Sequence, residues 1–140
     1  MVNETVLLEV YTEIAEDEGF RGNEYKDHLG YPTIGYGTKL PLTEEEAGIL
    51  LQHRLRRMVK ELTLNKPIIE KIPDQALLVL LNMAYQLGVP RLLKFKKMWE
   101  AIETGDYKTA SAEMVDSLWN QQTPNRSNKL ASIMSDVRYA

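Results

Sequence analysis

Apolar positions along this chain recur mostly at helical spacing. Val10, Tyr11, Ile14 and Ala15 fall on one face and run into Gly19, which predicts a helix that stops there. Ala47, Leu50, Leu51, Leu55, Val59 and Leu62 repeat the pattern and predict a long amphipathic helix ending near Asn65 and Pro67. Thr43 followed three residues on by Glu46 is a capping box at its start. The run Ala76-Leu77-Leu78-Val79-Leu80-Leu81 is apolar on nearly every side, which predicts a fully buried central helix, capped by Asp74 and ended by Gly88. Helices are expected over about 90–104, closed by Gly105, about 106–119 and about 124–136. Thr123 as cap and Pro124 at the first helical position open the last of these.

One segment breaks the helical texture. Between Gly19 and Pro41 stand five glycines, two prolines and the alternating stretch Tyr31-Pro32-Thr33-Ile34-Gly35-Tyr36-Gly37. That is strand-and-turn chemistry, a small hairpin bending at Gly30 and Pro32. The expected fold is therefore α+β and mostly helical: one domain over 1–140, with a β-hairpin lobe at about 19–41 packed against a helical part formed by 1–18 and 42–140. Folds of this kind place a cleft between the two parts.

Composition narrows the class. At 44% hydrophobic and 26% charged residues the chain is an ordinary globular one rather than a disordered one. It has no cysteine, which excludes disulfides, thiolate metal sites and a thiol nucleophile. The net charge of -3 hides an asymmetry: residues 1–50 carry 11 acidic against 3 basic side chains, and residues 51–140 carry 9 against 14. Two lobes of opposite field, or simply solvated helix faces, both account for it. The basic excess is too weak for a nucleic-acid binder, so no nucleic-acid partner is expected. Glu4, Glu9, Glu13 and Glu16 interrupt any signal-like run, and no stretch approaches the roughly 20 apolar residues of a membrane span. His28 and His53 have no companion at metal-ligand spacing, and neither metal nor cofactor is expected.

Candidate chemistry lies around the hairpin. The predicted elements put Glu18 at a helix end, Asp27 on or beside the first strand and Thr33 on the second. Cleavage of a glycosidic bond needs such a set: an acid to protonate the leaving oxygen, and a second group to manage water across the sugar. The helix end carries roughly half a negative charge, which disfavours ionised Glu18 and suits it to donate a proton. Asp27 on a solvated strand edge is expected to stay ionised, so two environments yield two roles. By spacing alone the carboxylates are equally readable as a solvated acidic patch, and Gly35-Tyr36-Gly37 as a plain hairpin.

The words around these residues are more specific. Asp17-Glu18-Gly19, Tyr25-Lys26-Asp27 and Thr33-Ile34-Gly35-Tyr36-Gly37, with eight residues between Glu18 and Asp27 and five between Asp27 and Thr33, resemble the active-site signature of the phage lysozymes, glycoside hydrolase family 24. Leu81-Asn82-Met83-Ala84-Tyr85-Gln86-Leu87-Gly88 resembles that family's central helix, and Trp119-Asn120-Gln121-Gln122-Thr123-Pro124-Asn125-Arg126 its carboxyl-terminal motif. The resemblance covers about 10–138. It implies an endolysin, a muramidase that hydrolyses the β-1,4 bond between N-acetylmuramic acid and N-acetylglucosamine in bacterial peptidoglycan with inversion.

In that reading Glu18 is the general acid, and Asp27 with Thr33 positions and activates the water. Inverting sites hold their carboxyls about 6.5–9.5 Å apart. Arg126 is implied as a supporting arginine near Glu18, where its charge would oppose the helix-end effect. Tyr85, Lys39 and Glu113 are implied sugar contacts, with core packing the competing account for Tyr85; Trp99 and Trp119 are read as core. The implied protein is a monomer that stays in the bacterial host cytoplasm until a holin-like, membrane-permeabilising partner releases it to the wall. A lysozyme-like module that grips glycan without turnover, or a structural part of a phage particle, is the alternative.

Two features depart from the family pattern. The segment from Gly37 to Thr43 is short, so the β part is expected to be minimal. The chain is also acidic overall, so attraction to an anionic wall is left to the basic helical part and is expected to be salt-sensitive.

Overall fold

In the computed structural model, which describes residues 3–138, the first helix α1 (Glu4–Glu18) begins at Asn3, whose side chain accepts the N–H of Thr5 at 2.7 Å. It ends at Gly19, whose φ of 69° stops helical propagation while its N–H still reaches the carbonyl of Ala15. Three antiparallel strands follow in the order β1 (Arg21–Lys26), β2 (Pro32–Gly35) and β3 (Thr38–Lys39). Tyr25 pairs with Thr33 and Thr33 in turn with Lys39, so these three side chains share one face of the sheet. The expected hairpin is there with its bend between Lys26 and Pro32, but β3 was not foreseen. Lys39 lies on that strand because Gly35 and Gly37, with φ of 70° and 76°, turn the backbone straight back.

Helix α2 (Glu44–Asn65) opens on the reciprocal capping box, Thr43 Oγ1 accepting from the Glu46 N–H at 3.1 Å and Glu46 Oε1 accepting from the Thr43 N–H at 2.9 Å. Chain packing divides the molecule into two compact units between Ile49 and Leu50. Among the described residues of the first unit only Thr33 is buried. The whole apolar core belongs to the second.

That second unit continues from α2 through a single 3-10 turn (Pro67–Glu70) into α3 (Asp74–Leu87), α4 (Val89–Leu93), α5 (Lys96–Glu103), α6 (Tyr107–Val115), α7 (Leu118–Gln122) and α8 (Pro124–Ser135). Helix α3 packs against α4 and α8, and α6 packs against both α5 and α8. Leu62, Leu80, Met83, Leu92, Met98 and Trp99 lie at the centre of the core. Among the described residues no helix is long and apolar enough to cross a membrane.

Several expectations need correction. Helix α3 is central but not buried all round: Val79, Leu80 and Met83 are enclosed, while Leu78 and Tyr85 are nearly half exposed. Asp74 is its first helical residue, and the cap position is Pro73, which makes no side-chain hydrogen bond. The helix expected over 90–104 is two; at the break the Leu92 carbonyl accepts both the Phe95 N–H at 3.2 Å and the Trp99 indole N–H at 3.0 Å. The helix expected over 106–119 also breaks, and Ser117 caps its second half by accepting from the Asn120 N–H. Thr123 precedes α8 but does not cap it through its side chain; its hydroxyl donates to the Trp119 carbonyl at 3.1 Å. Trp99 and Trp119 are both buried, as core residues should be.

Candidate active site

Glu18 is the last residue of α1, and the β2–β3 turn closes against it. A Cβ built on Gly37 would lie 2.7 Å from both Cδ and Oε2 of Glu18. The carboxyl therefore rests on bare backbone, and only glycine leaves room for it there. Tyr36, in the same turn, meets Phe20 at a ring separation of 5.6 Å and Tyr11 at 6.2 Å, so aromatic contacts tie the turn to both sides of the α1 terminus.

Asp27 follows β1 directly and organises the bend. Its Oδ1 accepts the N–H groups of Leu29 at 2.9 Å and Tyr31 at 2.8 Å, and its own carbonyl accepts the Gly30 N–H at 2.9 Å. Its Oδ2 forms a close ion pair with the ammonium of Lys39. Asp27 is thus a turn-building residue as well as a candidate catalytic one. The hydrogen bond from Lys39, then the backbone bond from Tyr31, hold its carboxyl down at about 2 against a usual 3.8. Lys39 is correspondingly raised, first by its bond to Asp27 and further by the charges of Asp27, Glu18 and Tyr25, with desolvation opposing.

Thr33 is buried in β2, and its hydroxyl donates to the Tyr31 carbonyl at 2.8 Å. Its proton is committed to the backbone, so towards a water this oxygen offers only lone pairs. One small sheet therefore carries Thr33 and Lys39 side by side, holds Asp27 through Lys39, and seats Glu18 on Gly37.

The remaining candidates belong to the second unit. Arg126, at the start of α8, donates through Nε to Asn82 Oδ1 at 2.9 Å and through Nη2 to the same oxygen at 2.5 Å. Trp119 donates through its indole to Gln86 Oε1 at 3.0 Å. The two motif blocks thus lock onto each other, α3 supplying Asn82 and Gln86. Sequence reasoning singles out Arg126 but misses these two amides, although both lie in the Leu81–Gly88 stretch. Tyr85 is 48% exposed, which removes core packing as the explanation for it. Glu113 lines an open pocket of about 680 Å³ together with Phe95, Trp119 and the basic side chains of Arg91, Lys94, Lys96 and Lys97. Among the described residues no group of acidic or imidazole side chains is arranged to hold a metal ion.

A mostly helical α+β chain with a three-stranded sheet that gathers a glutamate, an aspartate and a threonine has the lysozyme-like fold. The chain belongs to the phage lysozyme family, which it matches over residues 15–135. It is 33% identical over 150 residues to the probable T4-type lysozyme 1 of Dictyostelium discoideum, covering 84% of this chain and 88% of that protein. It is 30% identical to the pre-baseplate central spike protein Gp5 of Enterobacteria phage T4, over 86% of this chain but only 26% of Gp5. A third likeness, 26% identical over 88% of this chain and 15% of the relative, is to the peptidoglycan hydrolase gp36 of Pseudomonas phage phiKMV.

Proposed function

We propose that this lysozyme-family glycosidase is a muramidase, hydrolysing the β-1,4 bond between N-acetylmuramic acid and N-acetylglucosamine of bacterial peptidoglycan with inversion. The observation that carries the reading is one small sheet that holds all three: Glu18 packs on Gly37 of the β2–β3 turn, Asp27 pairs with Lys39 of β3, and Thr33 stands opposite Lys39 on β2.

The roles of Asp27 and Thr33 follow from hydrogen-bonding capacity, and Glu18 is left as the acid. Glu18 is the group that donates a proton to the glycosidic oxygen as the bond breaks. Ionised Asp27 only accepts, and Thr33 has spent its proton on Tyr31. A water between them directs one hydrogen to each and turns its lone pairs outward, towards the anomeric carbon. Attack from that side, opposite the departing oxygen, inverts the configuration. With its carboxyl held at about 2, Asp27 is a weak base, so it mainly orients the water and takes the proton late, once the attacking oxygen has become positive.

Tyr85, exposed on α3, and Glu113, in the basic pocket, are proposed contacts to the glycan or its appended groups. Arg126 is proposed as a supporting residue that acts by holding α8 to α3 through Asn82. Peptidoglycan is the proposed partner, and the protein is proposed to act as a monomer that reaches the wall through a holin-like partner. The likeness to a spike protein favours a second context, a lysozyme domain carried on a phage particle, with the same chemistry.

Glu18→Gln tests the reading. It should abolish clearing of a peptidoglycan suspension while circular dichroism and Tm stay near wild type. Full activity in that variant removes Glu18 as the acid.

A further inference from the structure

We propose that Lys39 is a positioning residue for the water-handling carboxylate: it locks Asp27 in one orientation and leaves a single lone pair of Oδ2 for the water. The proposal rests on the reading above that Asp27 handles the water.

The count of hydrogen bonds carries it. A carboxylate offers about four lone-pair sites. Two on Oδ1 are taken by the backbone N–H groups of Leu29 and Tyr31, and one on Oδ2 by the Lys39 ammonium. What remains is one acceptor position on Oδ2. Without Lys39 the two sites on Oδ2 become equivalent, and a water has two places to bind instead of one.

Lys39 reaches Asp27 because of the sheet register. It stands directly opposite Thr33 on the face that also carries Tyr25, so the ammonium, the aspartate and the threonine hydroxyl are brought to one side. The ring of Tyr31 lies 5.7 Å below the ammonium and steadies it. The charged and titratable groups around Lys39 are Glu18 from the end of α1, Tyr25 from β1, Tyr31 from the bend and Asp27 itself. Only 11% of the Asp27 side chain is exposed against 61% of Lys39, so the lysine covers the carboxylate from the solvent side. It thereby keeps the group anionic in acid and limits its basicity, which suits an orienting role.

The test uses Lys39→Met and Lys39→Arg in the whole protein, with the Asp27 carboxyl carbon followed by NMR titration. Wild type should titrate near 2. Lys39→Met should raise that midpoint by about one pH unit or more, while Lys39→Arg keeps it close to wild type. The acid limb of kcat/KM should move with the titration. At neutral pH Lys39→Met should lose roughly tenfold in kcat with KM little changed, and Lys39→Arg should recover most of it.

An unmoved Asp27 midpoint in Lys39→Met overturns the proposal. So does a rise in KM alone, which makes Lys39 a sugar contact and nothing more. Asp27→Asn separates the underlying reading: full activity there overturns any catalytic role for the pair, however Asp27 titrates.

Discussion

Replacing Gly37 by alanine puts a methyl carbon where the Glu18 carboxyl now lies. The added Cβ would sit 2.7 Å from Cδ and Oε2 of Glu18 and 3.0 Å from its Cγ. Ordinary contact needs about 3.5 Å or more, so the carboxyl must retreat by roughly 1 Å. The fold tolerates this easily, because the yielding atoms are the far end of a flexible side chain. Catalysis does not: a misplacement of about 1 Å costs on the order of 10²-fold in rate. A separate cost comes from the backbone, since alanine at a φ of +76° is strained by about 1–2 kcal/mol. Gly35→Ala isolates that second effect, having a φ of +70° but nothing within 4 Å of its added Cβ. Both variants should lose a similar few degrees of Tm. Only Gly37→Ala should also lose about a hundredfold in kcat/KM, measured by clearing of a peptidoglycan suspension at saturating and limiting substrate. Equal activity losses in the two variants would refute the claim that Glu18 is seated on Gly37.

Three further outcomes are expected. If the Thr33 hydroxyl holds the attacking water, Thr33→Val, which removes it at nearly constant shape, should cut kcat at least tenfold, with Thr33→Ser retaining most of it; equal activity in Thr33→Val makes the residue a plain buried strand position. The depressed Asp27 carboxyl stabilises the fold above its unfolded value of 3.8, and this contribution is lost as pH falls towards about 2. The Tm difference between wild type and Asp27→Asn should therefore be constant above about pH 5 and shrink between pH 4 and 2; a difference that grows in acid contradicts the sign. Leu80 is fully buried on α3, and Leu80→Ala should destabilise by about 2–5 kcal/mol in denaturant melts without changing KM.

What the chain revealed before folding, and what it concealed, divides by range. Glu18 at a helix stop, Asp27 beside a strand and the Thr43–Glu46 box are local facts, written in residues a few positions apart, and all three stand in the structure. The Lys39–Asp27 pair spans twelve residues and depends on a two-residue strand whose register no periodicity announces. The sequence therefore offers Lys39 only as an implied sugar contact, whereas its ammonium is paired with Asp27. Helix breaks at 94–95 and 116–117 were missed for a similar reason. Their open ends are satisfied by Trp99, seven residues from Leu92, and by Ser117, signals that single-helix spacing does not weigh. The exposed face of α3 was hidden because leucine marks burial on average, whereas Leu78 is 46% exposed. The carboxyl-terminal words Trp119 to Arg126 were legible as a motif, but their physical purpose, gripping Asn82 and Gln86, needed the fold.

In the proposed mechanism Glu18 protonates the bond on the reducing side of N-acetylmuramic acid. Reducing-end analysis of digested wall tests it most directly: wall is treated with wild type or Glu18→Gln, reduced with borohydride, hydrolysed and assayed for amino-sugar alcohols. Wild type should generate muramitol and no additional glucosaminitol, and Glu18→Gln neither. New glucosaminitol, or lysis with no new reducing ends at all, would contradict it.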